Sequence, residues 1–124
     1  SPTRISQAFV VGATNNQLIS SGKDAKASFS RTGSNISAFA PGESVALLNF
    51  NGTSVTNNGT SFSAPYIAGI FAVACQAAGT LCNTATNATT LYDALRNTGV
   101  IGTVTNTNGT PLTGATSRFI VQQW

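Results

Sequence analysis

The feature that most limits how this chain can fold is the run from Ser61 to Ala78, which predicts a helix without a polar stripe. Phe62, Ala64, Ile67, Ala68, Ile70, Phe71, Ala72, Val73, Ala74 and Ala77 recur on every side of it. A helix that is apolar all round is expected to be buried all round. Such a helix would be roughly 27 Å long. A chain of 124 residues can scarcely enclose a rod of that length. Further polypeptide is therefore expected around it.

The remaining segments read as shorter elements. Ala8 to Ala13 is a continuous apolar run ending in the turn-forming Thr14-Asn15-Asn16, which suits a strand of a parallel sheet covered on both faces. Asn15 to Lys26 is polar and reads as a surface loop. Ser34 to Ala40 alternates, with Ile36, Ala38 and Ala40 on one side, and stops at Pro41-Gly42. Val45 to Phe50 and Thr53 to Thr56 are expected to pair across Asn51-Gly52. Thr89 to Thr98 predicts a second helix, stopped by Gly99. Ile101 to Trp124 has β-branched runs broken at Asn108-Gly109 and reads as a hairpin. No internal repeat stands out.

Charged residues make up only 7% of the chain and apolar residues 41%, against a usual charged share of about 25%. Ser, Thr, Asn and Gly fill the gap, as suits a secreted protein. Arg4, Lys23, Lys26, Arg31, Arg96 and Arg118 are scattered, so the net charge of +3 does not point to nucleic acid. No apolar run reaches the ~18 residues of a spanning helix, so no membrane partner is expected. The residues from Ser1 do not read as a leader. Cys75 and Cys82 are spaced for a short-range disulfide or stay as buried thiols, and with no histidine they form no zinc site. The triplets beginning at Asn35, Asn51, Asn58, Asn87 and Asn108 are glycosylation sequons. A chain this rich in Asn, Ser and Thr also makes sequons by chance.

The chemistry concentrates at Gly59-Thr60-Ser61-Phe62-Ser63-Ala64-Pro65. A helix opening at Thr60 or Ser61 presents unpaired N–H groups and the positive end of its dipole. A serine there stands beside donors suited to an oxyanion, which acyl transfer needs. Gly59 allows close approach, and Pro65 falls early enough in the helix to be tolerated. The plain alternative is that Thr60 or Ser61 serves only as an N-cap.

The longer run Asn58-Gly-Thr-Ser-Phe-Ser-Ala-Pro-Tyr-Ile-Ala-Gly69 resembles the nucleophile motif of the subtilisin-like serine peptidases, the subtilases. Ser1-Pro-Thr-Arg4 with Val10-Val-Gly-Ala13, then Ala27-Ser-Phe-Ser30 with Gly33, and Ala40-Pro-Gly42, are similar to segments that precede that motif in the family. Thr89 to Gly99 is similar to its late surface helix. The resemblance implies an α/β fold, here the C-terminal part of a doubly wound, mostly parallel sheet with a buried central helix. Residues 1–124 would form the C-terminal half of a single catalytic domain. Ser61 matches the nucleophile, its N–H would be an oxyanion donor, and the Thr60 hydroxyl would assist. Phe29, Asn58 and Gly59 would face the substrate cleft, with Phe29 on the leaving-group side. Tyr66 stands where many members carry a structural histidine. Calcium is common in the family, but no residue here can be assigned to it.

The resemblance also shows what is missing. The family's Asp, His and oxyanion Asn belong upstream of Ser1. A serine without an adjacent base is a poor nucleophile. Lys23 and Lys26 lie in the polar loop and would stay protonated, and Asp24, Glu43 and Asp93 match no catalytic position. The expected activity is hydrolysis of peptide or protein substrates through an acyl-enzyme, with an N-terminal fragment of the same peptidase as a second chain supplying the base. Two other readings are a catalytically inactive subtilase-like binding or structural module and a small β-rich adhesion domain. The segment Gly59 to Gly69 argues against the adhesion domain.

Overall fold

A computed structural model describes residues 8–19, 23–79, 84–98 and 104–112. Strands β1 (Val11–Ile19), β2 (Lys23–Lys26), β3 (Ala38–Pro41), β4 (Val45–Leu48) and β5 (Ser54–Asn57) precede helix α1 (Thr60–Ala78). Helix α2 (Ala85–Thr98) and the short strand β6 (Val104–Thr105) follow. One sheet has the order β3-β1-β2-β6, and β4 and β5 form a separate ribbon.

The start of β1 pairs in parallel with β3, Val11 opposite Ala38 through Thr14 opposite Pro41. Its later part pairs antiparallel with β2, with an irregularity between Thr14 and Leu18. β2 then pairs in parallel with β6. The α/β class is as expected, though among the described residues the sheet is mixed. The described residues of Asn15 to Lys26 are strand rather than the expected loop, and residues 20–22 lie outside them. Asn15–Ile19 extends β1, and Lys23–Lys26 is β2. The backbone ladder makes this pairing without two apolar faces, which is why polar composition concealed it. Ala25 is nonetheless buried.

Period-two alternation divides the core into two layers. Ala38 and Ala40 face Ile67 and Ile70 of α1, with Phe9, Val11, Phe71 and Leu95 packed beside them. Phe39, between the two alanines, points the other way into a cluster with Ile36, Val104 and Leu112, against which Val10 packs. Ile36 therefore does not share a side with Ala38 and Ala40. It precedes β3 in a turn closed by its N–H on the Gly33 carbonyl, 3.1 Å, so strand alternation does not yet apply to it. Phe9, Phe71 and Tyr92 meet in a three-ring cluster, with Phe9 edge-on to Tyr92 at 4.6 Å between centroids.

The hairpin of β4 and β5 forms where expected, with Val45 opposite Asn57 and Leu48 opposite Ser54. Its turn is wider than a two-residue Asn-Gly turn. Asn49 N–H bonds the Thr53 carbonyl at 2.8 Å, and Gly52 sits at φ 80°. α2 begins at Ala85, earlier than Thr89, while Gly99 lies outside the described residues. At the C-terminal end, Thr105 bridges antiparallel to Pro111 across Asn108-Gly109. Most of the expected terminal hairpin lies outside the described residues, as do Ser1 to Arg4.

Gly12 carries a strict packing constraint. A Cβ there would overlap the Phe39 ring, 2.6 Å from its Cδ1, and Phe39 is fully buried. Gly12→Ala should therefore lower stability by about 1–3 kcal/mol, the usual cost of overpacking. Chemical denaturation of wild type and variant measures it, and an unchanged midpoint would refute the constraint.

Candidate active site

The sequence Asn57-Asn58-Gly59 ends β5 and turns directly into α1. Gly59 is the N-cap, in an extended conformation that supplies no side-chain cap. The helix starts at Thr60 and Ser61 is its second residue. The capping role that Thr60 or Ser61 would otherwise fill thus falls to a residue without a side chain. Phe62 N–H bonds the Gly59 carbonyl at 3.1 Å. Both Thr60 and Ser61 are exposed, at the end of the helix where the backbone field favours developing negative charge.

Ser61 stands at the rim of an open groove of about 360 Å³. Its walls are Ala8, Phe9, Val10 and Val11 from the strand side, and Thr60, Ser61 and Ala64 from the helix side. The groove is thus mostly apolar with hydroxyls at one edge. Phe29, Asn58 and Gly59 are not among its walls. Phe29 lies on the turn after β2, partly exposed. The Asn58 side chain is engaged, its Oδ1 accepting the Ser44 N–H at 2.7 Å.

That bond belongs to a clasp that the motif alone did not reveal. Residues 41–44 form a turn that touches the chain on both sides of Ser61. Gly59 N–H bonds the Gly42 carbonyl at 2.7 Å. The fully buried Ser63 donates its Oγ–H to the Pro41 carbonyl at 3.1 Å. The same turn is fixed to the sheet, because Gly42 and Glu43 N–H both reach the Thr14 carbonyl, 3.1 and 3.2 Å. Ser44 adopts φ 56°, a left-handed conformation uncommon outside glycine. A side chain at Gly42 would collide with Ser63 Oγ, and its Cβ would lie 2.7 Å from Ala13 Cβ and 3.0 Å from the Gly59 carbonyl oxygen. The signal was present in Ala40-Pro41-Gly42, but only packing shows why the glycine is needed.

Among the described residues, none is positioned to act as the base. The sequence contains no histidine. Lys26 is in β2 rather than a loop, and its Nζ donates to the Ala27 and Ser30 carbonyls at 2.8 and 2.9 Å. Asp24, also on β2, has its carboxyl pushed upward by burial and is not a wall of the groove. Among the described residues, no three His, Cys, Asp or Glu side chains converge to hold a metal ion. The described side chains therefore do not form a carboxylate-lined calcium site. No helix among them is long and apolar enough to cross a membrane.

Comparisons with known proteins agree with this architecture. The chain is 36% identical over 76 residues to the alkaline serine exoprotease A of Vibrio alginolyticus, covering 61% of this chain and 13% of that protein. It is 47% identical over 49 residues to the subtilisin-like serine protease AsES of Sarocladium strictum, covering 40% of this chain and 13% of that protein. A solved cold adapted subtilisin-like serine proteinase superposes with a TM-score of 0.71 at 28% identity, covering 99% of this chain and 40% of that one. The chain thus spans well under half the length of these relatives. The sequence profile of the Subtilase family matches residues 1–117, and the chain belongs to that family.

Proposed function

We propose that this chain is the nucleophile-bearing C-terminal half of a secreted serine endopeptidase, with Ser61 attacking the scissile carbonyl. The observation that carries this reading is Ser61 itself, exposed at the start of α1 and at the rim of the groove, within a motif of the subtilase family. A histidine on polypeptide upstream of Ser1 removes the Oγ proton as the Oγ–C bond forms. An aspartate orients that histidine. The carbonyl oxygen takes the negative charge and is held by the Ser61 N–H, an upstream asparagine and the Thr60 hydroxyl. The tetrahedral species collapses to an acyl-enzyme, the leaving amine takes the proton from the histidine, and water then hydrolyses the ester.

Two features support dependence on upstream polypeptide. The chain has no histidine, so the proton has nowhere to go. The helix α1 also has a face that is exposed without being polar. Ala64, Pro65, Tyr66, Ala68, Gly69, Ala72 and Ala77 are exposed, and among the described residues of that face only Gln76 and the Tyr66 hydroxyl are polar. Surface helices normally turn charged or polar residues outward. Small residues along a helix let another element approach closely.

The test uses residues 1–124 with and without an upstream subtilase segment carrying the Asp, His and Asn. A phosphonate or sulfonyl fluoride should label the combined protein at Ser61, and peptide mapping locates the adduct. Ser61→Ala should abolish turnover with little change in stability. An active preparation labelled at Ser63, or not labelled, would overturn the assignment of the nucleophile. The chain alone should hydrolyse no peptide ester and should aggregate or melt without cooperativity. Ser61-dependent turnover by a monomer of the chain alone would refute the dependence.

The clasp gives a second test in the combined protein. Gly42→Ala should shift the Asn58–Ser63 segment, and a displacement near 1 Å costs about 10²-fold in rate. Single-turnover acylation of Ser61 measures it, and an unchanged rate would show that the turn does not position the serine. Cys75, half-buried near the end of α1, is proposed to pair with Cys82, which lies outside the described residues. The secreted reading favours oxidation. The non-reduced protein should weigh two hydrogens less than its free-thiol form, and full alkylation without reductant would refute the bridge.

A further inference from the structure

The five glycosylation sequons are not equivalent in the folded chain. In the first, Ser37 is buried, and its Oγ is occupied by the Val10 N–H at 3.2 Å and Arg96 Nη2 at 2.9 Å. The third, Asn58, has its Oδ1 turned across the clasp to the Ser44 N–H rather than to the threonine of its own sequon. The side chain of Asn87 lies outside the described residues.

Asn51 and Asn108 share a different arrangement. Each is the third residue of a five-residue turn with the same pattern, Asn49-Phe-Asn-Gly-Thr53 and Asn106-Thr-Asn-Gly-Thr110. In both turns the first N–H bonds the last carbonyl, at 2.8 and 2.9 Å, and the glycine N–H bonds the first carbonyl, at 2.9 and 2.8 Å. The glycines adopt φ 80° and 79°. In both, the sequon Asn Oδ1 accepts the Thr N–H at 3.1 Å and the Thr Oγ–H at 2.7 Å. All four sequon Asn and Thr residues are exposed.

We propose that Asn51 and Asn108 are attachment sites for N-linked carbohydrate. An amide nitrogen is a weak nucleophile, because its lone pair is shared with the carbonyl. Two donors fixed on Oδ1 stabilise the negative charge that gathers there as Nδ2 gives up a proton. Nδ2 then attacks the anomeric carbon of a lipid-diphosphate-linked oligosaccharide. The new N–C bond forms as the C–O bond to the diphosphate breaks. The lipid diphosphate leaves with the electron pair, and the proton passes to a base of the transferring enzyme. Both acceptors are on exposed turns, which leave room for a glycan among the described residues. At Asn51 it would stand beside Phe50, which is 99% exposed, and near Leu48, which is 80% exposed.

The test is secretion of the combined protein from a yeast under a yeast leader, followed by enzymatic glycan release in heavy-oxygen water and peptide mapping. Asn51 and Asn108 should become heavy Asp, with Asn35 and Asn58 unchanged. Thr53→Ala and Thr110→Ala should each remove one glycan from the intact mass, and Thr53→Ser should retain it. An unmodified Asn51 or Asn108 in secreted protein overturns the assignment of that site. Occupancy at Asn35 or Asn58 matching theirs overturns the geometric selection. The readout is independent of Ser61 chemistry, so it stands or falls apart from the proposed activity.

Discussion

The close contact between the Pro41–Gly42 turn and the first turn of α1 is the constraint on which the site depends. Ser61 lies on an exposed segment, and exposed segments wander unless something buried holds them. Here the Thr14 carbonyl holds the turn. The turn holds Gly59 through a backbone bond and Ser63 through a buried hydroxyl. A net hydrogen bond is worth about 0.5–1.5 kcal/mol. These bonds act mainly by fixing direction, since the Thr14 bonds tie the turn to the sheet and the Gly59 and Ser63 bonds tie the same turn to the segment that carries the serine. Gly42 makes the arrangement possible, because no side chain fits in the space between Ser63, Ala13 and the Gly59 carbonyl.

Among the described residues, the helix attached to this segment is covered on one side only. Ile67 and Ile70 are buried against Ala38 and Ala40, and Phe71 packs with Phe9 and Tyr92. The opposite side presents Pro65, Tyr66 and Gln76 along with alanines and a glycine to solvent. Alanine exposes little area, at roughly 0.8 kcal/mol per buried CH₂, so the incomplete state is costly without being prohibitive. A larger cost is functional, because the groove beside Ser61 has apolar walls and no proton acceptor. Both deficits lie on upstream polypeptide in the proposed enzyme, so a single addition would remove them together.

The elements most legible in the sequence were those set by long, uniform signals. α1 was expected at Ser61 to Ala78 and begins one residue earlier, at Thr60. The β4–β5 hairpin followed from Asn51-Gly52. Asn15 to Lys26 misled because antiparallel pairing of β1 with β2 rests on backbone bonds, which composition does not record. Ile36 misled because alternation was extended back beyond the start of β3. The repeated Asn-x-Asn-Gly-Thr turn was overlooked because it spans five residues, shorter than any repeat that builds a fold. At the site, the motif pointed to Ser61, but nothing in the spacing announced that Asn58 would turn its side chain to Ser44.

Helical geometry explains how one short run can be both anchored and open to the groove. Residues two apart in a helix are separated by roughly 200° around its axis. Ser61 and Ser63 therefore face nearly opposite ways. Ser63 is fully buried against the Pro41 carbonyl, and Ser61 is exposed at the groove. If the first turn rotated to bury Ser61, Ser63 would lose its acceptor and leave a polar group in an apolar layer, at a cost of about 1–3 kcal/mol. The hydroxyl with no part in the proposed chemistry thus keeps the other one facing outward.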